Sequence, residues 1–176
     1  LPPAGPARDR VLLAAMGSPD PHGRQLDGLG GGISSLSKVM IIAPSSRAQA
    51  VLDYTFGQVA VDQSVIDWRS NCGNLTSAVG PFAVDEGLIN IGDGETELCL
   101  HNTNSGALVQ ARFEIVAGHA RIDGDFELQG VAGRGAPARA NDSTNTNTVV
   151  KFPMILRKVG IVRPISPYSV CIARTP

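Results

Sequence analysis

The chain has 176 residues, a net charge of −1, 43% hydrophobic residues and only 5% aromatics, which fits one sizeable core or one lobe of a larger protein. No apolar run reaches the ~20 residues of a membrane span and no signal-peptide pattern appears, so a membrane-embedded protein is not expected. The charge is uneven: up to Asp142 ten Lys and Arg face sixteen acids, a balance of −6, whereas five bases and no acid follow from Ser143 onward. Five scattered bases without interleaved stacking aromatics do not make a nucleic-acid surface.

Leu1–Pro6 is proline-rich and reads as a linker, and a chain that begins at Leu1 is expected to be preceded by more sequence. Ala7–Met16 reads as a short helix with Ala7, Val11, Ala14 and Ala15 on one side and Gly17 as its stop. Ser18–Gly32 is a long polar, glycine-rich loop, of a kind often tied to function. It contains Gly28-Leu29-Gly30, but Ile33 stands where a dinucleotide fingerprint needs its third glycine. No strand precedes it and no Gly-Lys-Ser/Thr follows, so nucleotide binding is rejected. Ser37–Ala43 is expected to be a strand ended by Pro44. Lys38, Met40 and Ile42 share one of its faces and Val39, Ile41 and Ala43 the other, so burial on both sides is expected. A second strand spans Val51–Val61, and Ser64–Trp68 leads into a turn.

That turn, Asn71-Cys72-Gly73-Asn74, opens a helix. Asn74 is a favoured N-cap, and Leu75, Ala78, Val79, Phe82 and Ala83 recur with helical spacing. Pro81 cannot donate to Ser77, so a kink is expected there. Gly92-Asp93-Gly94 marks a turn, Glu97–Asn102 a strand and Asn104-Ser105-Gly106 a hairpin turn. Leu108–Val116 alternates Val109, Ala111, Phe113 and Ile115 with Gln110, Arg112 and Glu114, as a half-buried strand does. Gly118–Asp125 continues the antiparallel pattern, and Gly130–Ala136 reads as a glycine-rich loop. From Ala140 the text turns polar and low in complexity, and Pro153, Pro164 and Pro167 interrupt every candidate element of the last stretch. The expected class is α+β, with the strands of an antiparallel or mixed sheet wrapped around few helices. Residues 1–139 form the main unit and 140–176 a divergent basic tail.

Two side chains stand out chemically. Lys38 shares a strand face with Met40 and Ile42, and a partly dry amine serves as a base; the alternative is a strand-end lysine reaching water over its apolar stem. Cys72 sits at a helix start, where unpaired N–H groups favour a thiolate or bind a carboxylate; the alternative is a small, inert, buried cysteine. Cys99 and Cys171 read as structural. Three cysteines without metal-ligand spacing suit a reducing, cytoplasmic setting. His22, His101 and His119 have no spacing for a metal or a triad, with His22 read as a surface residue of the loop.

Met16–Val39, Val59-Ala-Val-Asp, Asn71–Ala83, His101-Asn-Thr-Asn-Ser-Gly and Gly130-Val-Ala-Gly-Arg-Gly-Ala-Pro together resemble the PrpF family of 2-methylaconitate cis-trans isomerases and related aconitate or oxalomesaconate isomerases. The resemblance runs from about Leu12 to Arg139. It implies a diaminopimelate epimerase-like fold of two lobes, each a mostly antiparallel or mixed sheet wrapped around a central helix, with the site between them; this chain carries one lobe, without the family's first strand and its turn. It further implies that Lys38 and Cys72 are catalytic and that Asn71, Gly73, Asn74 and Ser37 bind substrate. The implied reaction moves a double bond in a small unsaturated tricarboxylic acid by proton transfer, with no metal or organic cofactor. No nucleic-acid or membrane partner is implied, and homo-oligomer formation stays open. The rival reading is a catalytically silent module that keeps the carboxylate-binding turn.

Overall fold

The computed structural model describes residues 1–142, 147–152, 159–162 and 169–173. Helix α1 (Pro6–Met16) is followed by a long loop and a single 3₁₀ turn at Ser34–Leu36, then by strands β1 (Lys38–Pro44), β2 (Leu52–Val59) and β3 (Ile66–Asp67). Helices α2 (Gly73–Thr76) and α3 (Val79–Asp85) come next. Strands β4 (Gly94–Asn102), β5 (Leu108–Val116), β6 (His119–Ala120), β7 (Phe126–Glu127), β8 (Arg134–Asp142) and β9 (Asn147–Phe152) follow, and β10 (Val159–Val162) and β11 (Ser169–Ala173) complete the described order.

The strands join in the order β10-β11-β1-β2-β4-β5-β8-β7, with β3 on β2, β6 on β5 and β9 on β8. Among the described pairs only β2–β4 is parallel. The α+β class expected from the pattern is the one observed. Because side chains alternate along each strand, one face of the sheet collects Met40, Ile42, Tyr54, Phe56, Leu100 and Val109, and this face closes on Leu75, Val79, Phe82 and Ala83 of α2 and α3. The five positions read as one helical face are all buried. The opposite face of β1, carrying Val39 and Ile41, packs under Leu12, Leu13 and Met16 of α1. Burial of β1 on both sides is therefore met.

Four local expectations change. The buried face of α1 is Leu12, Leu13 and Met16, while Val11 is 43% exposed; the larger side chains, not the alanines, fill the space over β1. The helix after the turn is interrupted at Ser77 and Ala78 instead of bending at Pro81. Pro81 lacks the N–H that would have bonded Ser77, so the break falls one turn upstream and the proline lies in the first turn of α3, where no donor is missed. The cap of α2 is Cys72, not Asn74. Gly130–Ala136 is loop only in its first half, since β8 begins at Arg134 and runs on to Asp142. Beyond it β9 pairs with β8 and β11 with β1, so the sheet includes strands where no element was assigned. Ser143–Thr146 of the polar run and Pro153, Pro164 and Pro167 lie outside the described residues.

Candidate functional site

The site begins with how β1 starts. Gly17 ends α1 in the left-handed region (φ 72°), and its N–H and that of Ser18 bond Ala14 O and Leu13 O. The next two helical carbonyls, Ala15 O and Met16 O, accept from Leu29 and Gly30 N–H at 2.9 and 3.1 Å. The glycine-rich stretch that superficially resembles a nucleotide loop thus caps a helix C-terminus, and those donors are already used. Buried Gln25 then ties the loop to the strand: its Nε2 donates to Ser18 Oγ (2.7 Å), and its Oε1 accepts from Gly32 N–H (2.9 Å) and Ser37 Oγ (2.6 Å). Ser37 is fully buried, and its hydroxyl also lies 2.9 Å from Ile33 O. Its side chain is engaged inside the protein.

Lys38 follows, on the strand face that looks toward α2 and α3. Its Nζ reaches the Cys72 Sγ at 3.5 Å across 34 residues of chain, and both side chains are half-buried. Cys72 has extended torsions (φ −142°, ψ 104°) and makes no side-chain cap, which leaves its thiol to meet the lysine. The first intrahelical bond of α2 runs from Thr76 N–H to Cys72 O (2.9 Å), so the N–H groups of Gly73, Asn74 and Leu75 lie ahead of any intrahelical acceptor. Asn71 Oδ1 takes the Cys72 N–H at 2.9 Å. Asn74 is exposed on the first turn. Gly73 is required for close approach: a Cβ there would lie 2.4 Å from Thr148 Oγ1 of β9. Below α2, Thr76 Oγ1 donates to the buried Tyr54 hydroxyl at 3.4 Å, and burial pushes that phenol above its ordinary range.

The approach to Cys72 is fixed by groups that pattern reading passed over. Asp67 accepts from Ser70 Oγ (2.5 Å) and from Arg69 N–H (3.0 Å) and Nε (3.1 Å). The Ser70 hydroxyl first, and then the Arg69 backbone, hold its carboxyl down at about 2. A carboxylate held below its unfolded value adds stability that is present above about pH 4 and is lost as pH falls toward about 2. Asp67→Asn is therefore expected to flatten that acid limb, read as hydrogen exchange of the 68–76 backbone against pH. An acid limb identical to the parent's would show that Asp67 does not order the turn. Trp68 is held from α1, with its Nε1 donating to Asp9 Oδ1 at 3.2 Å and the Arg8 guanidinium 4.6 Å above its ring. Asn104 Nδ2 donates to Trp68 O at 2.6 Å.

Other candidates fall elsewhere. His101 is buried with Nδ1 3.0 Å from Asp53 Oδ1, a pair the β2–β4 register creates and the sequence does not announce. His119 lies 3.5 Å from Asp85 at the surface, and His22 is exposed. Cys99 is half-buried in β4 and free of any disulfide. Lys151 is buried, with Nζ on the carbonyls of Ala132 and Gly133. A cavity of about 750 Å³ lies on the outer face of β4, β5 and β8, well away from the Lys38–Cys72 pair, and its Arg112 and Arg121 are already bonded to Glu97 and Glu114. Among the described residues no helix is long and apolar enough to cross a membrane.

The fold is α+β: the sheet closes on a short helix that Cys72 caps, and the strand lysine Lys38 lies against that cysteine. The family described as PrpF protein matches residues 1–154, and the chain belongs to that family. It is 44% identical over 137 residues to 3-methylitaconate isomerase of Eubacterium barkeri, covering 78% of this chain and 36% of that protein. It is 47% identical over 131 residues to 2-methyl-aconitate isomerase of Shewanella oneidensis, covering 72% and 33%. It is also 46% identical over 136 residues to 4-oxalomesaconate tautomerase of Pseudomonas putida, covering 77% and 37%. The crystal structure of methylitaconate-delta-isomerase superposes with a TM-score of 0.76 at 43% identity, over 80% of this chain and 36% of that one. The chain thus spans about a third of the length of the curated relatives it matches.

Proposed function

We propose that this chain supplies one wall of the active site of an isomerase that moves a double bond in a small unsaturated tricarboxylic acid, of the 2-methylaconitate or aconitate type, by proton transfer. The observation that carries the reading is the 3.5 Å contact between Lys38 Nζ and Cys72 Sγ. Carbon acids beside carboxylates are weak, so the reaction needs a positioned base and fixed donors for the charge that develops. The Lys38 amine takes the proton from the allylic carbon. The electron pair of the broken C–H bond moves into the conjugated carboxylate system, and a proton returned at the far allylic carbon leaves the double bond shifted. Cys72, in hydrogen-bond range of Lys38, is the partner for that return. The N–H groups at the start of α2, with Gly73 and Asn74, face the substrate carboxylate, and Asn71 shapes that turn through its bond to the Cys72 N–H. Ser37 contributes by position, since its hydroxyl is buried. The step as written calls for no cofactor.

The chain corresponds in this reading to one partial lobe, and the remaining length seen in the relatives supplies the opposite wall, which excludes water and orients the acid. Proton NMR of aconitate-type acids in deuterium oxide tests it, with this chain and with a form extended to the relatives' length. Deuterium is expected at the allylic positions with the extended form. The silent-module reading instead expects binding by calorimetry with no exchange from either form, and that outcome would sink the isomerase proposal.

A further inference from the structure

We infer that Asn104 is the positioning residue that holds the Cys72 turn opposite Lys38, an inference that rests on reading those two side chains as the reacting pair. The reason lies in a gap in the sheet. One edge of β2 is paired with β1 throughout, from Lys38↔Gln58 to Pro44↔Leu52. Its other edge meets β4 only at Leu52, Asp53 and Tyr54, and meets β3 only at Gln58 and Val59. Phe56 lies between these two stretches, with its N–H and C=O directed away from β1.

Asn104 closes that gap with its side chain. Its Oδ1 accepts the Phe56 N–H and its Nδ2 donates to Phe56 O, both at 2.8 Å, as a neighbouring strand would. The second Nδ2 hydrogen goes to Trp68 O at 2.6 Å. Every donor of the amide is used, and the three bonds need one acceptor and two donors in one plane, which only an amide side chain provides. The consequence reaches both halves of the site. Phe56 is registered against Met40, two residues beyond Lys38 on the same strand face. Trp68 O lies four residues before Cys72, at the point from which the turn is launched. One planar group therefore ties the lysine's strand to the cysteine's turn. Asn104 is itself held by its N–H on Asn102 Oδ1 at 2.9 Å, so the clip is anchored to the end of β4.

Asn104→Asp tests this with shape retained, because a carboxylate presents an acceptor to two carbonyls where the amide presented donors. The readout is the alkylation rate of Cys72 by iodoacetamide, resolved by peptide mass spectrometry, with Cys99 as internal reference. It is compared with and without Lys38→Met in both backgrounds, which makes a double-mutant cycle. With Asn104 intact, Lys38→Met is expected to change the Cys72 rate by roughly fivefold, and in Asn104→Asp by less than about twofold. Cys99 is expected to react alike throughout. An undiminished Lys38 effect in folded Asn104→Asp overturns the role of Asn104 and leaves the pair standing. No Lys38 effect even with Asn104 intact overturns the pair, and this proposal with it. Asn104→Ser, which leaves room for water against the Phe56 N–H, carries the same test if circular dichroism shows Asn104→Asp unfolded.

Discussion

Lys38→Met, made in a form extended to the length of the relatives, is expected to lower deuterium incorporation into an aconitate-type acid by about three orders of magnitude, within the range for removing a positioned general base. The fold is expected to survive. Lys38 is the first residue of β1, and that strand is held through its backbone pairing with β2 and β11 and through the buried Val39, Met40, Ile41 and Ile42. Methionine replaces the apolar stem at nearly the same length, so the unfolding midpoint should move by no more than about 1 kcal/mol of stability. Loss of exchange with an unchanged urea midpoint and unchanged affinity for the acid separates chemistry from binding. Exchange retained within tenfold of the parent would remove Lys38 from the base's role. The same substitution distinguishes the silent module, for which it alters nothing but affinity.

The parts of this architecture that announce themselves in the sequence are those where large apolar side chains alternate. β5 reads correctly from Leu108 to Val116 because Val109, Phe113 and Ile115 alternate with Gln110, Arg112 and Glu114, and β1 reads correctly because both of its faces are apolar. β8 escapes for the opposite reason. Its buried side chains are Ala136, Ala138 and Ala140, small residues of low strand preference, and Pro137 brings no ladder donor. The strand runs through it nonetheless, with Pro137 registered against Lys151 of β9 and the Ala136 N–H before it bonded to Ile122 O at 2.8 Å. The site was half legible. A cysteine at a helix start and a lysine on an apolar strand face are visible as separate facts, but periodicity gives no reason for residues 38 and 72 to meet, and only the family resemblance joined them. What supports the pair was not legible, because Gln25, Asp67 and Asn104 work by satisfying backbone groups and each other's neighbours. A polar residue in a loop looks the same in sequence whether it points to water or closes a gap in a sheet.

Gln25 carries the second large prediction. Gln25→Met preserves length and removes every polar atom, leaving the Gly32 N–H without its acceptor, Ser18 Oγ without its donor, and Ser37 Oγ with only Ile33 O. With orphaned buried groups at about 1–3 kcal/mol each, and part of this recovered by water at the half-buried Gly32, the expected loss is about 2–4 kcal/mol. Ser37→Ala is the control: it removes one of the two hydrogen bonds made to Oε1 and leaves the Gly32 bond in place, so a loss of about 1 kcal/mol is expected. Gln25 also has φ 49°, in the left-handed region that a long side chain adopts only under constraint. Gly30 is part of the same lock, since a Cβ there would lie 2.2 Å from the Gln25 amide. Urea unfolding of the two variants decides the matter. If Gln25→Met is no less stable than Ser37→Ala, the 18–37 loop is not held through this amide, and the start of β1, with Lys38 on it, is set by its pairing with β2 and β11.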